Sequence, residues 1–399
     1  MAIESGSGAY LHTADGRNIL DAISSWWVNV HGHCRPEIVA AIQKQVEKLE
    51  QVIFAGFTHG PAEQLVESLG SFFPGDSRFF FSDDGSTSVE VALKMAIQYF
   101  DNIGEKRHKV LALNGAYHGD TFGAMSVGDR GPFSAPFDRK LFEVGRLPFP
   151  SEVGESRFIE LLDSKLSEDS EIAAFIFEPL VQGVAGMRTY SESLLTSMIQ
   201  IAQRCGVLVI ADEVMTGFGR TGKMFAFEHS SEVPDLVCLS KGITGGFLPL
   251  GLTVASKNLF ESFLSKDRKK TFFHGHSYTA NPIACAAAVA NLQIFKNEPV
   301  LNRVRSIEAA HREYLPLLQS RNGLNTRVLG AISAIDFEAG DAGYLSQLGP
   351  NLYNAFLDRD VLLRPLGNTI YVLPPYCVDA AEIKRIYDVI QEVIDENRL

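Results

Sequence analysis

The stretch Val207-Leu208-Val209-Ile210-Ala211-Asp212-Glu213 decides the fold. A run this short, apolar and β-branched reads as a strand buried on both faces, and such strands belong to largely parallel sheets covered by helices. It ends on two carboxylates, and open α/β sheets bind ligands beyond the carboxyl ends of their strands. Working outward, the same texture predicts strands at Arg78 to Ser82, Val110 to Asn114, Ala173 to Glu178, Leu236 to Ser240 and Leu252 to Ala255. Apolar residues at helical spacing predict helices over Ser86 to Phe100, Ser191 to Arg204 and Pro282 to Phe295. The second of these stops before Gly206, where a C-cap glycine is expected. Alternating strands and helices make this an α/β fold with a mostly parallel sheet.

From about residue 297 the texture changes. A charged amphipathic helix through Arg321, a strand-like Val328 to Phe337, a helix, a strand Thr369 to Leu373 and a last helix from Ala380 read as a smaller α+β domain. The first residues hold a strand pair around Asp15-Gly16 and a helix from Pro36 to Glu50, too little to stand alone. The expected division is therefore 1–50 as the N-terminal part of a small domain, 51–296 as a large domain, and 297–399 as the C-terminal part of the small one.

Composition narrows the function. Of 399 residues, 46% are hydrophobic and 21% charged, which is ordinary for a globular chain. Lys plus Arg number 36 against 48 Asp plus Glu, and a net charge of −12 repels phosphate backbones and anionic lipid surfaces. Nucleic acid and membrane partners are not expected. Five cysteines (Cys34, Cys205, Cys238, Cys285, Cys377), an odd number with no C-x-x-C pair, fit a reducing compartment. The N-terminus lacks the basic start and apolar run of a secretory signal, and no apolar stretch approaches the roughly 20 residues that cross a bilayer. A soluble cytoplasmic protein is the expectation.

The candidate chemistry collects at strand ends. Asp212 alone is equally an ordinary turn cap. The next strand, however, delivers Lys241-Gly242 beside it. A dehydrated lysine near ring systems or other cations is a candidate Schiff-base nucleophile. A neighbouring buried Asp can hold the proton on the ring nitrogen of pyridoxal phosphate. Asp83-Asp84-Gly85-Ser86-Thr87-Ser88 follows a strand and opens a long helix. That turn can cradle a phosphate, or serve as a plain N-cap with Ser86 or Thr87 capping and Glu90 completing a capping box.

Tyr117, after the strand Val110 to Asn114, can stack on a planar ring. Its neighbour His118 reads as structural. The His274-Gly275-His276 run lacks a third ligand, so no metal is expected. Trp26-Trp27 are the only tryptophans, and adjacent strand residues face opposite ways, so one can face a cleft. Arg364-Pro365, upstream of Tyr371, is a candidate carboxylate clamp. A dinucleotide-binding protein is the rival from another class, but no G-x-G-x-x-G follows any strand.

Together these pieces resemble the fold-type I pyridoxal-phosphate aminotransferases of the class III (omega-amino) group. The resemblance is carried by Ala211-Asp212-Glu213-Val214, Gly217-Phe218-Gly219-Arg220-Thr221-Gly222, Leu239-Ser240-Lys241-Gly242 and Asn281-Pro282, in that order. It runs from about Asp15 to Tyr376. Ser24-Ser25-Trp26-Trp27 with His31-Gly32, Thr58-His59, His118 to Ser126, Arg364-Pro365 and Pro374-Pro375-Tyr376 resemble the branch that aminates 8-amino-7-oxononanoate. S-adenosylmethionine is that branch's usual amino donor, with lysine open as the other.

The resemblance implies that Lys241, Asp212 and Tyr117 are catalytic. Lys241 would form the Schiff base, Asp212 pair with the pyridine nitrogen, and Tyr117 and Val214 bracket the ring. Gly85 and Ser86 would hold the phosphate, with Ser277 supplied by a partner subunit of a homodimer. Trp26, Trp27, Gly275, Arg364 and Tyr371 would line the substrate pocket, Arg364 gripping the carboxylate. Three departures from the family pattern stand out. Met215 replaces a common Gln, Gly275-His276-Ser277 replaces Gly-Pro-Thr, and a tyrosine-bearing segment expected upstream of Met1 is not found. Another class III enzyme, acting on an omega-amino acid or amine with pyruvate or 2-oxoglutarate, is the nearer rival.

Overall fold

The computed structural model describes residues 1–322, 324–337 and 348–397. Leu208–Asp212 lies at the centre of a seven-stranded sheet. The strand order is Arg78–Ser82, Gly251–Ala255, Leu236–Leu239, Leu208–Asp212, Ile172–Phe177, Lys109–Leu113 and Gly145–Leu147. Gly251–Ala255 runs antiparallel to both neighbours, and the other pairings are parallel. The three-residue edge strand Gly145–Leu147 escaped the sequence reading because it is too short to carry any alternation.

All residues of the two central strands are buried, because helices cover both faces. Side chains alternate across a sheet. Ala174, Ile176, Leu208 and Ile210 accordingly pack with Val89, Leu93 and Met95 of the helix Gly85–Ile103. Phe175, Phe177 and Val209 point the other way, onto Phe158 and Leu162 of Glu155–Glu168 and Leu195 and Met198 of Glu192–Arg204.

The two chain ends build smaller sheets. Ile3–Ser7, Tyr10–Thr13 and Asn18–Asp21 form an antiparallel run that Val361–Leu362 extends in parallel. The strand expected over Val328 to Phe337 is instead a hairpin, Asn325–Leu329 and Ile332–Asp336, which Thr369–Val372 joins as a third strand. Gly330, at φ +56°, makes the turn, and a Cβ there would lie 2.4 Å from the Arg220 carbonyl oxygen. The helix from Pro36 ends at Val46, not Glu50. The cap of Gly85–Ile103 is also corrected: Asp84 caps it, in a box with Thr87. Glu90 faces elsewhere, accepting from the N–H groups of Gly123 and Ala124 and the Thr121 hydroxyl.

The tryptophan pair sits in a tight turn, Ser24–Trp27, and not on a strand. Ser24, Ser25 and Trp27 have φ of +52°, +61° and +66°, a conformation that costs a non-glycine residue about 1–2 kcal/mol. Hydrogen bonds hold it. Asp21 accepts from the N–H groups of Ile23 and Ser25, and Ser24 Oγ donates to the Leu373 carbonyl.

The fully buried Arg220 donates to Ser24 Oγ (3.1 Å) and to the carbonyls of Trp27 (3.0 Å) and Asn29 (2.9 Å). Its guanidinium lies over the Tyr376 ring, and among the described residues no carboxylate hydrogen-bonds it. Burial therefore lowers its pKa. This one side chain ties the N-terminal turn to the loop after the central strand. Arg220→Met should lower the unfolding free energy by about 2–4 kcal/mol, since buried carbonyls lose their donors. Chemical denaturation measures this. Because both tryptophans lie in the turn, native-state emission should also shift to the red.

Candidate active site

The parallel ladder sets Asp212 opposite Cys238, so the chain leaving each strand opens on the same side. Lys241 follows in a short turn, Lys241–Thr244, with its own φ at +44°. A cavity of about 1040 Å³ opens over these strand ends. Lys241 Nζ lies 4.5 Å from the centre of the Trp27 ring. Burial pushes its ammonium down to about 8, against the pull of Asp212 and Glu178. Asp212 is itself buried, and both of its oxygens are held. Oδ1 accepts from the Val214 N–H at 3.0 Å, and Oδ2 accepts from His118 Nδ1 at 2.6 Å.

A second carboxylate belongs here. Glu178, at the end of Ile172–Phe177, is buried, and desolvation pushes it up to about 7. Its oxygens accept from the backbone N–H of Tyr117 (3.3 Å) and Gly183 (2.8 Å). Tyr117 Oη donates to Asp120 at 3.0 Å, and burial followed by that carboxylate raises the phenol pKa.

The loop bearing Tyr117 lies tight on the start of Gly85–Ile103, since the Asp120 N–H donates to Ser86 Oγ at 3.1 Å. Two glycines permit the fit. A Cβ on Gly119, at φ +123°, would sit 2.1 Å from Ser86 Oγ, and one on Gly85 would sit 2.7 Å from Val214 Cγ1.

Of the residues singled out in the sequence, Trp26, Trp27, Gly85, Ser86, Tyr117, Asp212, Val214 and Lys241 line this cavity, and so does Met215. Others stand off. Arg364 is exposed and lies over the Trp26 ring at 4.4 Å. Tyr371 is buried behind Trp27, edge-on at 6.0 Å. Gly275 and Ser277 are exposed and not part of the cavity wall. Their neighbours His274 and His276 turn to different partners, Lys94 and Asp83.

His118, Glu178 and Asp120 line the site but were passed over as site residues in the sequence. For Glu178 a signal existed: it ends a buried strand, as Asp212 does. For His118 the signal was its place beside Tyr117 at a strand end, but its partner Asp212, 94 residues away, could not be read from the sequence.

The site joins an amine of lowered basicity, a carboxylate fixed at both oxygens, and the start of a long helix whose free N–H groups favour an anion. A planar heteroaromatic ring carrying a phosphate fits this set, with the carboxylate for a ring nitrogen, the amine for a carbonyl and the glycine-lined helix start for the anion.

Known proteins agree with that reading. The aminotransferase class-III family matches residues 1–394. An adenosylmethionine-8-amino-7-oxononanoate aminotransferase from Synechococcus elongatus is 48% identical, covering 99% of this chain and 95% of its own. The crystal structure of the like-named enzyme from Methanocaldococcus jannaschii superposes with a TM-score of 0.93 at 33% identity, over 99% of this chain and 93% of that one. An amine transaminase from an uncultivated Pseudomonas species, in its pyridoxal-phosphate-bound form, gives a TM-score of 0.93 at 30% identity, over 99% and 95%. With strand ends, cavity and near full-length likeness in accord, the chain belongs to the class-III aminotransferases.

Proposed function

We propose that this chain aminates 8-amino-7-oxononanoate to 7,8-diaminononanoate in biotin biosynthesis, with pyridoxal phosphate as cofactor and S-adenosylmethionine as amino donor. The observation that carries the reading is Lys241 and Asp212 on adjacent strand ends of one cavity, in a chain 48% identical to a relative named for this reaction. Pyridoxal phosphate, when bound, supplies an electron sink and carries the amino group from one substrate to the other.

The protein's part is binding, orientation and proton movement. Gly85 and Ser86 at the helix start would hold the phosphate. Asp212, fixed at both oxygens, would keep the ring nitrogen protonated, and Tyr117 and Val214 would bracket the ring. Lys241 is suited to attack a carbonyl and to shuttle a proton at Nζ, because an amine near 8 is partly neutral at physiological pH. Trp26 and Trp27 would offer apolar surface to an alkyl chain, and Arg364, which lies over Trp26, would take a terminal carboxylate. Tyr371 would act from behind Trp27. Acidic groups dominate the wall (Asp83, Asp84, Asp120, Asp129, Glu178, Asp212), which supports a cationic donor such as a sulfonium amine.

Gly275 and Ser277 lie exposed, away from their own chain's cavity. This supports a homodimer in which they complete the partner's site. Five free cysteines and, among the described residues, no helix long and apolar enough to span a membrane support a cytoplasmic location.

Absorbance of the loaded enzyme tests the assignment directly. S-adenosylmethionine should convert the cofactor band to that of its aminated form, and 8-amino-7-oxononanoate should reverse the change. Conversion by simple omega-amino acids alone would instead assign the chain to the amine-transaminase branch. Lys241→Ala should lower turnover by at least about 10³-fold while leaving the circular dichroism spectrum intact. In the protein freed of cofactor, labelling of Lys241 by an amine reagent should rise with a midpoint near pH 8, because only the neutral amine reacts. Exposed lysines should rise about two units higher.

A further inference from the structure

We propose that Asn291, on the far side of the lysine turn from the cavity, is a positioning residue that aims Lys241. Asn291 sits on the helix Pro282–Asn297 and is fully buried. Its side-chain amide donates to the carbonyls of Gly242 and Ile243, both at 3.0 Å. Those are the two residues after Lys241. Its orientation is set by chemistry, since only the NH₂ end can face two carbonyl oxygens. Asn291 Oδ1 has no hydrogen-bond partner among the described residues. The side chain is thus committed to this one turn.

The turn needs such a hold. Lys241 has φ +44°, and Gly245 and Gly246 follow at +65° and +91°. Residues in left-handed conformations persist where the surroundings over-determine them. Here the surroundings close in from three directions. A Cβ on Gly245 would meet Ile38 Cδ1 at 2.9 Å and Asn291 Oδ1 at 3.0 Å, and one on Gly246 would meet the backbone of Val28 at 2.9 Å. The contacts with Ile38 and Val28 only fill space. Among the described residues, Asn291 is the one side chain that bonds the carbonyls of the turn's first half; the Gly242 carbonyl also accepts from the Gly245 N–H at 3.0 Å, within the turn itself. Without it, the Ile243 carbonyl loses its side-chain donor and the Gly242 carbonyl keeps only the Gly245 N–H, so the backbone can relax toward ordinary φ, swinging the lysine side chain off the Trp27 face.

This inference rests on Lys241 as the catalytic amine, and its test separates the two. Asn291→Leu keeps bulk and removes both bonds, and Asn291→Ser keeps one hydroxyl donor. The apoprotein is mixed with pyridoxal phosphate and quenched with borohydride at intervals, and the label on the Lys241 peptide is counted by mass. Asn291→Leu should capture cofactor and turn over about 10-fold more slowly, with KM for both substrates within twofold of the unmodified protein, since misaimed groups lose rate and not binding. Asn291→Ser should fall between. Should Asn291→Leu fail to fold, Asn291→Ser decides. Capture rate and kcat equal to those of the unmodified protein overturn the role of Asn291, whatever the melting temperature. Capture by Lys241→Ala at the normal rate would instead overturn the reading of Lys241.

Discussion

The parallel register that places Asp212 opposite Cys238 is the constraint on which the rest depends. Two strands that run side by side in the same direction release their chains at the same edge. A carboxylate ending one and a lysine following the other are then neighbours without any further device. The same edge receives Tyr117 and Glu178 from the next strands and the helix start at Gly85 from the far side. A slip of that ladder by one residue would turn every central side chain to the opposite face. Packing of Phe175 and Phe177 on one side and Ile176 and Ile210 on the other holds the register.

Electrostatics then differentiates groups that began alike. Glu178 and Asp212 both end buried strands, and burial pushes Glu178 up to about 7. Its hydrogen bonds come from two backbone amides, whereas Asp212 has one amide, that of Val214, and the His118 ring. The lysine is moved the other way by the same dry environment. Burial of Arg220 carries this logic to the N-terminal turn, where neutral carbonyls and a hydroxyl take the place of a counter-ion.

Much of this was legible in the sequence, for reasons that can be named. Buried parallel strands announce themselves as continuous apolar runs, so Leu208–Asp212 and Leu236–Leu239 fell within a residue of expectation. The cavity drew together eight of the residues chosen from strand ends, the tryptophan pair and the family pattern. What stayed hidden depends on long-range partners. Trp26-Trp27 was read for a strand because nothing local reveals three hydrogen bonds from an arginine nearly two hundred residues away. Asp84 displaced Ser86 as the cap because the choice turns on backbone angles, and the sequence offered six eligible residues in a row, 83–88. The hairpin at Gly330 was missed because Leu329 and Ile332 keep the apolar texture unbroken across the turn.

The single reversed strand, Gly251–Ala255, has one more consequence. A parallel successor to Leu236–Leu239 would have needed a long crossover, typically through a helix. Reversal lets the chain return directly, and Ser240 Oγ donates to the Leu250 carbonyl at 2.8 Å, stapling the return at its base. Lys241 thus rides on a short closed loop with little conformational entropy to lose, in contrast to the long open connections elsewhere around the rim. In evolutionary terms, the rim can lengthen and diversify to accept new substrates while the segment bearing Lys241 has almost no room for insertion.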